Sequence, residues 1–324
     1  MANNVNSHYF HAEAHALTGK LVLPFKEEIK KQAFVKLEGN LADLSEEERA
    51  QRNYFSQHAK NFRLEGIISY AAAHTQVAGH ESRKHDGASV TLSTSVVEDL
   101  NVLNVVTADR VVAQISTTHY PRVQTPSVTF LGTHFENLRI ARHRTEPYLK
   151  LDLVGERLAG AAAMHVDQGT GFMKAVETQY QTLKAGLKAL GEDLRKKTRL
   201  ADPDGWLWKK YDGLNLAYGD IKTKAADANA GRSKWDGLTC SLVENVEIKD
   251  ISVKAADGKP VQIPPPAKTF GHVIHVPDFG NIFLAELTVN HDSFNLTMIR
   301  LELGCLADGN VGAVVCEVNG KGHP

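Results

Sequence analysis

Three stretches of this chain are written to one short pattern. Val97-Glu98-Asp99-Leu100-Asn101-Val102, Phe135-Glu136-Asn137-Leu138-Arg139-Ile140 and Val243-Glu244-Asn245-Val246-Glu247-Ile248 all read apolar, Glu, Asp or Asn, apolar, polar, apolar. The first and third extend backwards as Leu92 to Val96 and Leu238 to Leu242. A strand-like unit recurring at unequal spacing predicts a β framework built from related pieces with something inserted between them. Alternation puts each repeated glutamate, Glu98, Glu136 and Glu244, on the same face as the next two apolar residues. Three equivalent strand entries explain the repeat more simply than one shared active site, with Asp or Asn supplying a local bend.

The strongest alternation runs from Ala88 to Thr117. Val90, Leu92, Thr94 and Val96 share one face, and Ser89, Thr91, Ser93 and Ser95 the other. Period two with hydroxyls on one side predicts an antiparallel strand whose Ser/Thr face meets water. Ser7 to Leu23 reads as extended structure ending at Pro24. Ser45 to Glu48 is a capping box, predicting a short helix towards His58. Four strands separated by turns, within 272–276, 282–289, 294–303 and 311–318, form a terminal meander.

Between the β segments the period changes. Val176, Tyr180, Leu183, Leu187, Leu190 and Leu194 fall on one helical stripe, predicting an amphipathic helix ending near Arg199. Residues 1–167 and 235–324 therefore read as one β framework, and about 168–234 as a helical insertion. The expected fold is mainly β: an antiparallel sandwich or barrel-like framework interrupted by that insertion.

Bulk properties narrow the function classes. Over 324 residues, Lys plus Arg (37) nearly balances Asp plus Glu (38), for a net charge of −1. Nucleic acid or an anionic membrane needs a concentrated positive field, so neither is an expected partner. No stretch approaches the about 20 continuous apolar residues that span a bilayer, and residues 1–7 show no secretory pattern. The location expected is cytoplasmic by default, or surface or extracellular if the chain is exported without a recognisable signal. Three cysteines, Cys240, Cys305 and Cys316, sit among aliphatic residues, which suits buried thiols.

Candidate chemistry concentrates on the first strand, where alternation places His11, Glu13 and His15 on one face. Two imidazoles and a carboxylate are a ligand set for zinc or non-haem iron, so a divalent metal is the cofactor to consider. His272 and His275, three apart, point to opposite faces unless a bulge intervenes. The letters give no Gly-x-Ser-x-Gly elbow, phosphate-binding loop, His-Glu-x-x-His helix or Cys-x-x-Cys pair. Trp206, Trp208 and Trp235 all lie in or beside the insertion.

Val97 to Leu103, followed by Val106-Thr107-Ala108-Asp109-Arg110-Val111-Val112-Ala113, resembles the core pattern of choice-of-anchor P domains. The likeness covers about residues 90–140 with Phe135 to Ile140 included. It implies a β-rich domain of bacterial type, exported and anchored, with no catalytic residues to carry over. The repeated strand framework and the lack of a coherent catalytic set read instead as a non-enzymatic structural or interaction protein that self-associates through sheet edges or its amphipathic helix. The alternatives are a metal-dependent enzyme or metal-binding β protein using His11, Glu13 and His15, and a carbohydrate- or ligand-binding β module.

Overall fold

The computed structural model describes residues 8–40, 45–82, 87–121, 126–153, 176–186, 189, 238–255, 259–290, 293–304 and 308–319. Much of 168–234, including Trp206, Trp208 and the stripe beyond Leu183, lies outside them, as do Trp235 and Cys305.

Twenty strands are described, and antiparallel pairing makes the fold mainly β. The first sheet runs β16 (Lys268–Phe270), β17 (Val273–Val276), β18 (Gly280–Val289), β19 (Ser293–Leu303), β20 (Asp308–Asn319), β1 (Tyr9–Leu23), β2 (Glu27–Gln32). β3 (Val35–Asn40) also pairs with β1, and β12 (Leu238–Ser241) with β18. The second sheet runs β13 (Val243–Ile248), β11 (His143–Leu149), β10 (Arg139–Ile140), β7 (Val106–His119), β6 (Ala88–Val102), β5 (Ile68–Ser82), β4 (Tyr54–Leu64). β8 (Ser127–Thr129) and β9 (His134–Glu136) pair with β7. A separate hairpin joins β14 (Ile251–Lys254) to β15 (Pro260–Ile263). The two large sheets stack face to face, β1 and β20 over β6 and β7, around one continuous core.

Pairing crosses the sequence at two places. β1 pairs with β20, Ala12 opposite Val318, and β11 pairs with β13, Thr145 opposite Ile248. The segment of β12 and β13 changes sheet at Leu242, whose amide donates to Ala285 O while its carbonyl accepts from Lys150 N. The third copy of the repeat is therefore a strand that passes from one layer to the other.

The capping box forms as its letters predict: Ser45 N donates to Glu48 Oε2 at 3.0 Å, and Glu48 N to Ser45 Oγ at 3.3 Å. The helix it starts, α1 (Glu46–Arg52), gives way to β4 at Tyr54, so the expected continuation towards His58 is strand instead. Pairing of β4 with β5 wins over the short helical run.

Two face assignments are corrected. The Ser/Thr row of β6 points inward: Ser89, Thr91, Ser93 and Ser95 are all buried. Ala12, Ala14 and Ala16 on β1 let the sheets approach closely, and the hydroxyls reach across. Ser93 Oγ donates to Glu13 O at 2.6 Å, Ser95 Oγ to His15 O at 3.0 Å, and Thr75 Oγ1 on β5 to Ala33 O at 2.5 Å. These three buried hydroxyls are satisfied by backbone acceptors, while Thr91 Oγ1 donates to Asn319 Oδ1 at 3.1 Å. The repeated glutamates are also not on the apolar face: Glu98, Glu136 and Glu244 are exposed, while Leu100, Leu138 and Val246 are buried. Asp99 and Asn137 take positive φ of 53° and 48°, the bend expected of Asx residues, and this swings the glutamate outward.

That swing belongs to a crease crossing each sheet. Inward positions on β6 run Ser93, Ser95, Val97, then Leu100 and Val102; on β7 they run Ile115, Ala113, Val111, then Ala108 and Val106. In the first sheet the phase changes from Ala285 to Leu284 on β18, Met298 to Ile299 on β19 and Val314 to Ala313 on β20. Ala285 and Val314 hold φ of 48° and 58° on that row. Alternation resumes with opposite phase beyond it.

The helix over residues 176–186 buries Val176 and Leu183 and exposes Glu177, Thr178 and Lys184, as its stripe predicts. Gln179 docks it to the free side of β12: Nε2 donates to Ser241 O at 2.7 Å, and Ser241 N donates to Oε1 at 2.8 Å. A side-chain amide thus takes the place of a neighbouring strand.

Candidate functional site: the outer face of the first sheet

The crease decides which polar groups meet. Without it, Glu286 on β18 and Arg300 on β19 would project from opposite faces; with it, both leave by the outer face. Arg300 Nε donates to Glu286 Oε2 at 2.5 Å and Nη2 to Oε1 at 3.0 Å, a bidentate pair. Arg300 Nη1 donates to Glu302 Oε1 at 2.7 Å, and the guanidinium lies 3.6 Å over the Phe283 ring. Asn281 Nδ2 reaches Glu302 Oε2 at 3.5 Å, and Asn281 Oδ1 lies 3.0 Å from His275 Nδ1. Gly271, at φ of +59°, turns the chain so that His272 joins the same face, its Nε2 4.0 Å from Glu286 Oε1. Burial pushes His272 down to about 4 and lowers His275 as well, so both imidazoles are neutral at pH 7.

Farther along the same face stand the three candidate ligands. They share a side, as alternation requires, but each meets a different environment. His11 Nε2 lies 3.6 Å from Glu317 Oε1 on β20. That polar contact raises the His11 pKa and, with Ser293 and Asn295 assisting, holds Glu317 at about 2. Glu13 accepts from Lys31 Nζ at 2.7 Å and lies 3.4 Å from Lys36 Nζ. His15 is buried, its Nε2 meets no hydrogen-bond partner, and desolvation takes its pKa down to about 4. Among the described residues no group of three His, Cys, Asp or Glu side chains is arranged to hold a metal ion. Strand geometry is the reason: same-face neighbours stand about 6–7 Å apart and do not converge.

The repeated glutamates do not meet in one site either. Glu98 on β6 and Glu136 on β9 both stand opposite Arg110 of β7, on the outer face of the second sheet, and Glu244 lies on β13. The buried thiols offer no nucleophile: burial raises Cys240 strongly and Cys316 to about 12. Sequence reasoning missed Glu286, Arg300 and Glu302 because their grouping depends on the crease. An Arg-x-Glu at 300–302 within an apolar strand was the one available signal.

A family model described as a domain of unknown function (DUF8256) matches residues 8–290. The chain belongs to this family. No curated protein and no solved structure matches it. The family match carries His11, Glu13, His15, His272 and Glu286, and stops before Arg300, Glu302 and Glu317 on β19 and β20.

Proposed function

We propose that this protein is a non-enzymatic β-sandwich that associates with a second copy of itself through the sheet edges formed by β2, β3 and β4. One observation carries the reading. β4 ends the second sheet, pairs only with β5 among the described strands, and extends for 11 residues. Its first six residues, Tyr54 to Ala59, contain no Lys, Arg, Asp or Glu, and Tyr54 and Phe55 are exposed at 49 % and 39 %. An open strand edge with exposed aromatics is a template for strand addition, because its outward amides and carbonyls await partners. Phe34, also exposed, sits at the turn from β2 to β3, and β3 runs against β4.

Two further points support it. The ionisable groups gathered on the outer face are engaged with one another, which suits a fixed surface more than a reacting centre. The amphipathic helix uses Val176 and Leu183 within its own chain, which leaves the edges as the better contact. No helix among the described residues is long and apolar enough to cross a membrane.

Size exclusion with light scattering tests the proposal. The expected mass is a multiple of 35.5 kDa, falling towards a single chain in Phe55→Lys. A single chain at every concentration up to the millimolar range would refute it.

A further inference from the structure

We infer that His58 and His74 form a two-histidine chelate for a divalent transition-metal ion of imidazole-preferring type: Zn(II), Ni(II) or Cu(II). They stand directly opposite on β4 and β5. Their rings lie 4.3 Å apart between centroids, tilted by 33°. His74 Nδ1 is 3.1 Å from His58 Nε2 and 3.3 Å from His58 Nδ1. Two metal–nitrogen bonds of about 2.0–2.1 Å at a tetrahedral angle span about 3.3 Å between nitrogens. The spacing is therefore already that of a chelate, and a turn of the exposed His58 ring about χ2 aims its lone pair at the ion.

The neighbouring residue sets the tautomer. Gln76, two along β5 on the same face, places Oε1 3.4 Å from His74 Nε2. An amide oxygen there accepts a hydrogen bond from Nε2–H, which leaves Nδ1 as the nitrogen with a free lone pair facing His58. Tyr54 holds the same amide oxygen, its hydroxyl 3.4 Å away. The arrangement is a ligand pair with an outer partner on one of its members, and exposure leaves the remaining coordination positions to water. Imidazole ligands favour Zn, Cu and Ni over Mg or Ca, which take oxygen.

The site differs from His11, Glu13 and His15, which lie on the other sheet, and it does not depend on self-association. Isothermal titration of chelator-stripped, tag-free protein with zinc chloride is the test. One equivalent is expected, abolished in His58→Ala and in His74→Ala, unchanged in His11→Ala, and weakened about tenfold or more in Gln76→Ala. His58→Gln serves if the alanine variant misfolds. In the same samples zinc should shift the His58 and His74 ring resonances and leave that of His11 in place. Absence of zinc binding at millimolar concentration, or binding retained in both single variants, would overturn the inference.

Discussion

A single buried histidine shows how burial, and not spacing, sets chemistry here. His15 is one of the three candidate ligands that alternation offers with His11 and Glu13; the structure gives it a desolvated place against β20, with Val315 opposite. Its folded pKa of about 4 lies below the unfolded value, as does that of His272. A lowered histidine means that the unfolded chain binds more protons between about pH 6.5 and 4, so stability falls as pH drops through that window. His15 and His272 together give a slope of up to about 2.7 kcal/mol per pH unit; the lowered His275 adds to it and the raised His11 opposes it. Urea unfolding at pH 7 and pH 5 should show a net loss, and His15→Leu should reduce it; an unchanged slope would contradict the assignment. Glu317 acts lower down, its contribution present above about pH 4.5 and lost as pH falls towards 2.

Between elements, the decisive contact is the Arg300 bridge from β19 to β18. Glu286 is 6 % exposed, so removing the guanidinium leaves a carboxylate in a poorly solvated place. Arg300→Leu should cost about 3–5 kcal/mol, and the double variant Glu286→Leu/Arg300→Leu markedly less, since no charge is then stranded. Equilibrium urea curves for both single variants and the double variant check this; equal losses in Arg300→Leu and the double variant would show that the ion pair itself, not a stranded charge, carries the energy. The strands themselves were legible: alternation marked β6, β7 and the terminal meander, and β1 read as an extended run before Pro24. Their inward faces were not: Ser93 and Ser95 look like a wet face until Ala12, Ala14 and Ala16 bring the opposing backbone within reach.

At the scale of the molecule, β1 at one end of the chain is held between β3 and β20 at the other, and β19 and β20 join it to β18. The family match ends at residue 290, before both. A chain stopped at residue 290 loses β20 as the partner of β1 and the core residues Leu296, Met298, Leu301, Val314 and Cys316. It should show no cooperative unfolding transition by circular dichroism, whereas the full chain should. A sharp transition in the shortened chain would mean that the first sheet closes without its two last strands.

The sequence alone determined the secondary structure of most described segments, through local signals: period two in the strands, a Ser45–Glu48 box at the one short helix, the stripe of Val176 and Leu183, and Asx residues at bends. These act over a few residues, so they are written in neighbouring letters. Tertiary structure decided which face of each strand turns inward, where both sheets crease, and hence that Glu286 meets Arg300 and His58 meets His74. Those outcomes depend on register between strands up to three hundred residues apart, such as β1 with β20, and no local pattern encodes the distance across a sheet.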